Sequence, residues 1–370
     1  MLSPVLPVVA FLAAFLVLIP LPLHWRARNI ATLALIFWLF ITDVIYGVNS
    51  LVWAGNVGDH IPIWCDISKS CLASRFDELK RLVPATKFVA GASYALPLCT
   101  MCICKHLEMV SSSRKISYNV SDRRKRMIFE GLACFLVPMI FMALRGSLGI
   151  SNLFLHLIMN ADYIVQGHRY DIIENIGCQA AVYISIPAVF LIWFPQLLFS
   201  VITLIYAALA LHNFIRRRLT FSAHLQNSNS ALTTNRYLRL IAMALTEMSW
   251  GTTLTAYNLW NNVSVGLRPW TTWDDVHSNF SNVHFFPALF IPKEYLRIMM
   301  LFWWSIPASS FIFFAFFGFG EEAVKEYMKI WTWFKIVVLR KRSSEKKGMN
   351  LGRSTGSRFV FFWLCPSFRR

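Results

Sequence analysis

Five polar residues stand inside long apolar stretches of the sequence and are the first candidates for chemistry: Asp43, Asn49, Lys87, Glu247 and Asn258. Polar and charged groups are costly to place in a membrane, so they usually mark either a functional site or a hydrogen bond between helices. Both roles stay open for Asp43 and Asn49, which share one apolar stretch. Lys87 stands near the end of its stretch, where its long side chain can reach the membrane surface.

Motifs of common catalytic sites are absent from the sequence. It contains no HExxH, no GxSxG and no phosphate-binding loop. Its eight cysteines follow no CxxC…CxxC or Cys/His pattern, and Cys99, Cys102 and Cys104 lie in or beside an apolar stretch, where cysteine packs as a small apolar residue. The sequence therefore predicts neither an enzyme nor a site for a cofactor or a metal.

Seven apolar stretches are the elements that must position the polar residues. A helix of about 20 apolar residues crosses a bilayer core, and only helices and closed barrels satisfy their own backbone there. The chain is 56% hydrophobic and 15% charged, with a mean hydropathy of +0.50. These features predict an all-α membrane protein, a seven-transmembrane helix bundle over residues 1–320. The stretches are roughly Pro4–Leu23, Ile30–Trp53, Leu82–Cys104, Met127–Leu144, Val182–Leu211, Tyr237–Leu259 and Leu296–Phe319.

Basic residues predict the orientation of the bundle. The loops after the first, third and fifth stretches, and the tail, are rich in Lys and Arg, which are enriched on the cytosolic side. The loop after the second stretch, with Lys69, Arg75, Lys80 and Arg81, is an exception. We expect an N-terminus outside and a cytosolic C-terminus. The net charge of +17 then indicates anionic membrane lipids as a partner rather than nucleic acid.

Two further segments follow the last stretch. Residues 321–339 carry apolar side chains at three- and four-residue spacing with lysines between them, which predicts an amphipathic helix on the membrane surface. Residues 340–370 form a basic tail, predicted to be disordered over most of its length.

Several motifs occur in order along the chain: Pro20–Asn29, Val48–Trp53, Trp64–Ile67, Tyr163–Ile172 with Gly177-Cys178, Pro269-Trp270 with Trp273, and Phe316–Ala323. Together they resemble the motifs of the fungal receptor family for lipid-modified mating pheromones. The resemblance implies a G-protein-coupled receptor in the plasma membrane. It also implies an agonist peptide with a farnesylated, methylated C-terminal cysteine, a heterotrimeric G protein as partner, and a mating kinase cascade.

Polar and aromatic residues of two loops are the expected contacts for the peptide part of that agonist: His168, Arg169, Tyr170, Asp171, Trp270, Trp273 and His277. A lone Trp at the end of a span is more often a membrane anchor. Arginines at the cytosolic ends of the fifth and sixth stretches are the expected G-protein contacts, although topology alone explains most of this charge: Arg216, Arg217, Arg218, Arg236 and Arg239.

Two covalent modifications are expected on the outer side. Cys65 and Cys178 would face an oxidising compartment, which favours a disulfide between them. Cys71 is a rival partner, and two buried free thiols are the alternative. Asn279 is the expected glycosylation site of the third outer loop, because Asn279-Phe280-Ser281 fits the acceptor pattern.

The sequence departs from the family pattern in two places. Lys69–Ala85 and Arg145–Ala161 each interrupt a motif. Either loop growth, which costs little closure entropy, or translation of two short introns explains them. Two other function classes remain as alternatives: a multi-span transporter or channel, and a receptor-like paralogue or isoform without a pheromone response.

Overall fold

A computed structural model describes residues 4–65, 85–111, 120–142, 165–216, 234–319 and residue 328. By its contacts the chain divides into two units, Met1–Glu326 and Tyr327–Arg370. The predicted amphipathic helix lies outside the described residues except for Met328, which is helical. The described residues also exclude the whole of Arg145–Ala161 and all of Lys69–Ala85 except Ala85.

The described helices follow the apolar stretches. They are α1 (Val5–Leu18), α2 (Leu21–Ala27), α3 (Ile30–Val52), α4 (Pro62–Cys65), α5 (Ala85–Ser111), α6 (Val120–Gly131), α7 (Val137–Met142), α8 (Ile186–Ala188), α9 (Phe194–Arg216), α10 (Thr234–Ser264), α11 (Trp273–Val276) and α12 (Lys293–Gly318). The π-helical turns Leu132–Leu136 and Val189–Trp193 join α6 to α7 and α8 to α9.

Five of these helical segments are long and apolar enough to cross a membrane: Val5–Ala27, Ile30–Val52, Ala85–Ser111, Ile186–Arg216 and Lys293–Gly318. The other two predicted crossings are also helical. One comprises α6 and α7, whose described part ends at Met142, and the other is the 31-residue helix α10. The described residues thus confirm the predicted helical membrane fold. They also extend it, because α5 runs to Ser111 and α6 begins at Val120 inside the expected basic loop.

The interior of the bundle is organised around α3, the most buried of the five candidate spans. Its Trp38 is 1% exposed, and the indole N–H donates to the backbone carbonyl of Cys134 at 3.0 Å. Cys134 lies in the π-helical turn Leu132–Leu136. A π-helical turn changes the regular pattern of backbone hydrogen bonds in a helix. Here one carbonyl of the turn accepts a hydrogen bond from a side chain of α3. This contact fixes the fourth crossing against the second.

A small sheet, which the sequence did not predict, covers one end of the bundle. Its strands are β1 (Tyr170–Ile173), β2 (Gly177–Gln179) and β3 (Val283–Phe286), in the order β2-β1-β3. β1 and β2 form an antiparallel hairpin, whereas β1 and β3 are parallel, with Asp171 opposite His284. The sheet therefore joins the segment before α8 to the segment before α12. We call this end of the bundle the sheet end.

Candidate functional site

Asn49 anchors the sheet end to the bundle. Its Oδ1 accepts a hydrogen bond from the indole N–H of Trp64 at 2.8 Å, and the residue is 2% exposed. Gly177 lies directly against it, with φ +90°. A Cβ on Gly177 would come within 2.6 Å of Asn49 Cβ. Of the two roles left open for Asn49, the structure supports the structural one: it holds α4 and the β1–β2 hairpin on the last turn of α3.

Cys65 and Cys178 are joined by a disulfide in the structure, with Cα atoms 5.6 Å apart. This separation is within the usual range of about 4.4–6.8 Å. The bond links α4 to β2, and the Thr86 hydroxyl of α5 donates to the Cys65 carbonyl at 2.9 Å. The connection after α3, the start of α5 and the hairpin therefore form one rigid frame. The rival partner Cys71 lies outside the described residues.

The turn that leads into β1 separates the expected ligand residues into two groups. Arg169 is 8% exposed and Tyr170 is fully buried, and the Tyr170 hydroxyl donates to Asp59 Oδ1 at 3.2 Å. By contrast, His168 and Asp171 keep 21% and 22% of their side chains exposed. His168 Nε2 lies 2.6 Å from Asp171 Oδ1. The second pair faces solvent, whereas the first pair is part of the frame.

Lys87 belongs to the same frame. Its ammonium group donates to Gln166 Oε1 at 3.3 Å, and the Gln166 amide donates to the Arg169 carbonyl at 2.5 Å. The intramembrane lysine therefore reaches the sheet end, as its position near the end of a stretch predicted, and it holds the turn before β1.

The loop between α10 and α12 carries the remaining expected ligand residues. Trp273 is 43% exposed and stacks on His277 with ring centroids 4.2 Å apart. Trp270 is half-buried, and Asn279, the expected glycosylation site, is exposed in a turn. Thr272 is the N-cap of α11, and its side chain accepts a hydrogen bond from the Asp275 backbone N–H. The loop thus presents a stacked aromatic pair to solvent.

Contacts between the two loops place them side by side. The Tyr183 hydroxyl donates to the Pro269 carbonyl at 3.1 Å. The Arg268 backbone N–H donates to the Ile184 carbonyl at 2.9 Å, and the Arg268 guanidinium lies 5.8 Å from the centre of the Tyr183 ring. Together with the β1–β3 pairing, these bonds bring the loop that contains Trp270 and the loop that contains His168 to one face of the protein.

Two adjacent serines of α12 bind the intramembrane acids. Ser310 donates to Asp43 of α3 at 2.5 Å, and Ser309 donates to Glu247 of α10 at 2.8 Å. Sequence reasoning flagged both acids but not the serines, since a serine in an apolar run is a weak signal. The Ser-Ser pair directly before a phenylalanine-rich segment was the available sign. The structure therefore makes α12 the helix through which α3 and α10 are joined.

A basic cavity of about 310 Å³ lies at the end of the bundle opposite the sheet. Arg126 crosses it, with Nε 3.3 Å from Glu130 Oε1 and a terminal nitrogen 3.0 Å from His106. Lys105 lies 4.2 Å above the Phe129 ring. The cavity lining is Cys102, Lys105, His106, Met109, Asp122, Arg123, Lys125, Arg126, Phe129 and Glu130. The sequence marked this segment by its basic charge but gave no indication of a cavity.

The expected G-protein contacts are only partly described. Arg216 is exposed at the end of α9, and Arg239 is half-buried in α10. The backbone of Arg236 lies in the first turn of α10, while Arg217 and Arg218 lie outside the described residues. Arg216 lies at the same end of the bundle as the basic cavity, because α9 packs along α5, whose last turns line that cavity.

Comparison with known proteins identifies close relatives. The profile of the Pheromone A receptor family matches residues 5–148 and 147–336. The chain is 45% identical over 323 residues to the Pheromone B beta 1 receptor of Schizophyllum commune, covering 87% of this chain and 53% of the relative. It is 33% identical over 334 residues to the Pheromone B alpha 3 receptor of Schizophyllum commune strain H4-8, covering 89% and 48%.

A shorter relative gives the same result. Pheromone receptor 2 of Mycosarcoma maydis is 29% identical over 317 residues, covering 84% of this chain and 80% of the relative. The chain spans about half the length of the Schizophyllum relatives that it matches. No solved structure matches it. The two segments of the family match meet at residues 147–148, inside the predicted insertion Arg145–Ala161.

Proposed function

This chain belongs to the Pheromone A receptor family, and we propose that it is a G-protein-coupled receptor for a peptide mating pheromone at the plasma membrane. The family match over nearly the whole helical bundle carries the proposal, because it covers both the sheet end and the opposite, basic end. It favours a receptor over the transporter or channel considered from the sequence. In this proposal the sheet end and the N-terminus face outward.

The agonist is proposed to be a short peptide with a farnesylated C-terminal cysteine, bound at the sheet end. His168, Asp171, Trp270, Trp273 and His277 are the proposed contacts for its peptide part. The half-exposed Trp273–His277 pair offers an aromatic face, and the partly exposed carboxylate of Asp171 offers an acceptor. Arg169 and Tyr170 act indirectly, since both are buried in the frame that holds β1.

Apolar side chains beside this face support a prenylated ligand. Phe285 and Phe286 of β3 are 49% and 38% exposed, and Leu289 and Phe290 just before α12 are 88% and 80% exposed. Contiguous exposed apolar surface usually marks contact with a membrane or a ligand. We propose that the farnesyl chain reaches the peptide site along this apolar segment from the adjoining leaflet.

Signal transfer is proposed to run through α12. Ligand contacts at β3 connect directly to α12, which begins seven residues after the strand ends, and α12 holds α3 and α10 through Ser310 and Ser309. A shift of α12 would therefore act on the middle of both partner helices. A heterotrimeric G protein is proposed to bind the opposite end, with Arg216, Arg217, Arg218, Arg236 and Arg239 as its contacts, and anionic lipids are proposed to surround it.

A reporter experiment tests the proposal. The receptor is expressed in a yeast strain whose G protein drives a mating-cascade reporter, together with each farnesylated pheromone precursor from the genome that encodes the receptor. We expect at least one precursor to activate the reporter, and its cysteine-to-serine form, which cannot be farnesylated, to be inactive. A receptor that reaches the surface and responds to none of these peptides would instead be a paralogue without a pheromone response.

A further inference from the structure

Three side chains with metal-ligand atoms converge on one face of the sheet. Asp171 of β1 and His284 of β3 are register partners in parallel strands, so their side chains leave the same face of the sheet. His168 precedes Asp171 by three residues, in the turn before β1. One ligand atom from each residue lies within 4.8 Å of the others. We propose that His168, Asp171 and His284 form a binding site for a divalent ion of the Zn²⁺ class.

Distances within the cluster are close to those of a metal site. His168 Nε2 lies 2.6 Å and His284 Nδ1 lies 3.8 Å from Asp171 Oδ1, and the two imidazole centroids are 4.1 Å apart. Zinc bonds of roughly 2.0–2.2 Å in tetrahedral geometry place ligand atoms about 3.3 Å apart. To reach this spacing, the 2.6 Å contact of His168 must lengthen and the 3.8 Å contact of His284 must shorten, each by less than about 1 Å. Rotation of exposed side chains provides such shifts without moving the strands.

The donor set selects the kind of ion. Two imidazole nitrogens and one carboxylate oxygen suit Zn²⁺ and its borderline neighbours, whereas Mg²⁺ and Ca²⁺ require oxygen ligands throughout. The side chains are 21%, 22% and 52% exposed for His168, Asp171 and His284. An ion can therefore reach them from water and keep a solvent molecule as its fourth ligand. In the part of the chain that the structure describes, His168, Asp171 and His284 form the cluster whose metal-ligand atoms all lie within 4.8 Å of one another.

A bound ion would join two segments that the chain keeps far apart. β1 is held by the frame around the Cys65–Cys178 bond, and β3 leads through Ala288–Phe290 into α12. An ion between them would restrain the start of α12 relative to that frame. The site uses residues of this chain alone, so its occupancy requires no pheromone and no G protein.

Direct binding to the full chain tests this site without any signalling assay. The purified, lipid-reconstituted protein is stripped with a chelator and titrated with Zn²⁺ against a chromophoric competitor, and bound metal is counted by mass spectrometry. We expect about one saturable ion per chain, unaffected by excess Mg²⁺. His284→Ala should weaken binding by at least about tenfold. His284→Cys, which supplies a thiolate, should retain it.

His60→Ala is the matched control, because His60 is an exposed histidine of the same end of the bundle and contacts Asn56 instead of the cluster. It should bind Zn²⁺ as the parent does. Zn²⁺ should also slow amide exchange of Val283–Phe286 in the parent and not in His284→Ala. Absence of saturable binding, or equal affinity of the folded parent, His284→Ala and His168→Ala proteins, would overturn the proposal. These outcomes are separate from the reporter experiment, since zinc binding by a protein that never signals would still support the site.

Discussion

Ser310 of α12 donates a hydrogen bond to Asp43 of α3, a residue 267 positions away in the sequence, and both side chains are completely buried. The neighbouring Ser309 repeats the arrangement with Glu247 of α10. A single turn of α12 thus donates one hydrogen bond to an acid from each of two other helices. Polar groups buried in a bundle stabilise it when they are paired and destabilise it when a partner is removed. The stability of the bundle should therefore depend on these hydroxyls far more than on other serines of the same helix.

Replacing Ser310 with alanine tests this dependence. Ser310→Ala removes the hydroxyl that donates to the Asp43 carboxyl, and the expected loss is about 1–3 kcal/mol of unfolding free energy, seen as a lower melting temperature of the purified protein. Ser305→Ala is the matched control, since Ser305 lies in α12 and donates within its own helix, to the Phe302 carbonyl at 2.6 Å. Equal melting temperatures for the two variants would contradict the role given to Ser310.

Gly177 is expected to tolerate no side chain, for two separable reasons. Its φ of +90° strains any L-residue, and an added Cβ would meet Asn49 at 2.6 Å. Gly177→Ala should therefore lower surface expression and melting temperature strongly. Gly55→Ala is the control that isolates the backbone contribution, because Gly55 has φ +65° with nothing within 4 Å of an added Cβ. If Gly55→Ala is as damaging as Gly177→Ala, the close approach to Asn49 contributes nothing.

The Cys65–Cys178 disulfide should be present in the surface-expressed protein. Non-reducing peptide mass spectrometry should recover the two cysteines in one cross-linked species. The bond spans 113 residues, and chain-entropy arguments give a closure of this size about 4–5 kcal/mol. Cys65→Ser and Cys178→Ser should thus lose surface expression to a similar extent, whereas Cys99→Ser, at a buried free cysteine, should lose much less. Alkylation of both cysteines as free thiols in folded protein would refute the bond.

Orientation is tested by two glycosylation acceptor sequences, Asn279-Phe280-Ser281 and Asn119-Val120-Ser121. Asn279 lies exposed at the sheet end and should carry a glycan, whereas Asn119, in the segment between α5 and α6, should carry none. Asn279→Gln should remove a glycan-dependent shift on an electrophoresis gel, and Asn119→Gln should leave the pattern unchanged. A glycan mapped to Asn119 would reverse the proposed orientation. Asn279 without a glycan but accessible to an external label would still place the sheet end outside.

G-protein coupling predicts a separation of binding from signalling. Neutralising Arg216, Arg217 and Arg218 together should lower the maximal reporter response while pheromone binding persists, because Arg216 lies at the end of α9 that is opposite the sheet. Simple topology anchoring predicts lost surface expression instead. An unchanged dose-response at equal surface expression would count against the assignment.

The helices were predictable from the sequence because each crossing needs its own run of apolar residues, as in Ile30–Val52. The sheet was not, because β1 and β3 are four-residue strands whose parallel pairing is a long-range contact without a local signal. The same pairing explains why His284 was missed beside His168 and Asp171. The sequence also marked Tyr170 as a ligand residue. Its burial could not be predicted, because it depends on a tertiary contact with Asp59.

The dose-response of the receptor to a farnesylated pheromone, measured for the parent, Trp273→Ala and Trp260→Ala, tests the account most directly. Trp260 is an equally large exposed tryptophan at 65%, placed in α10 and outside the proposed ligand set. We predict that the parent and Trp260→Ala respond alike, and that Trp273→Ala needs at least about tenfold more peptide, as for an interface anchor worth more than about 1.4 kcal/mol. A parent receptor that reaches the surface and stays silent, or equal responses of all three proteins, would contradict the account.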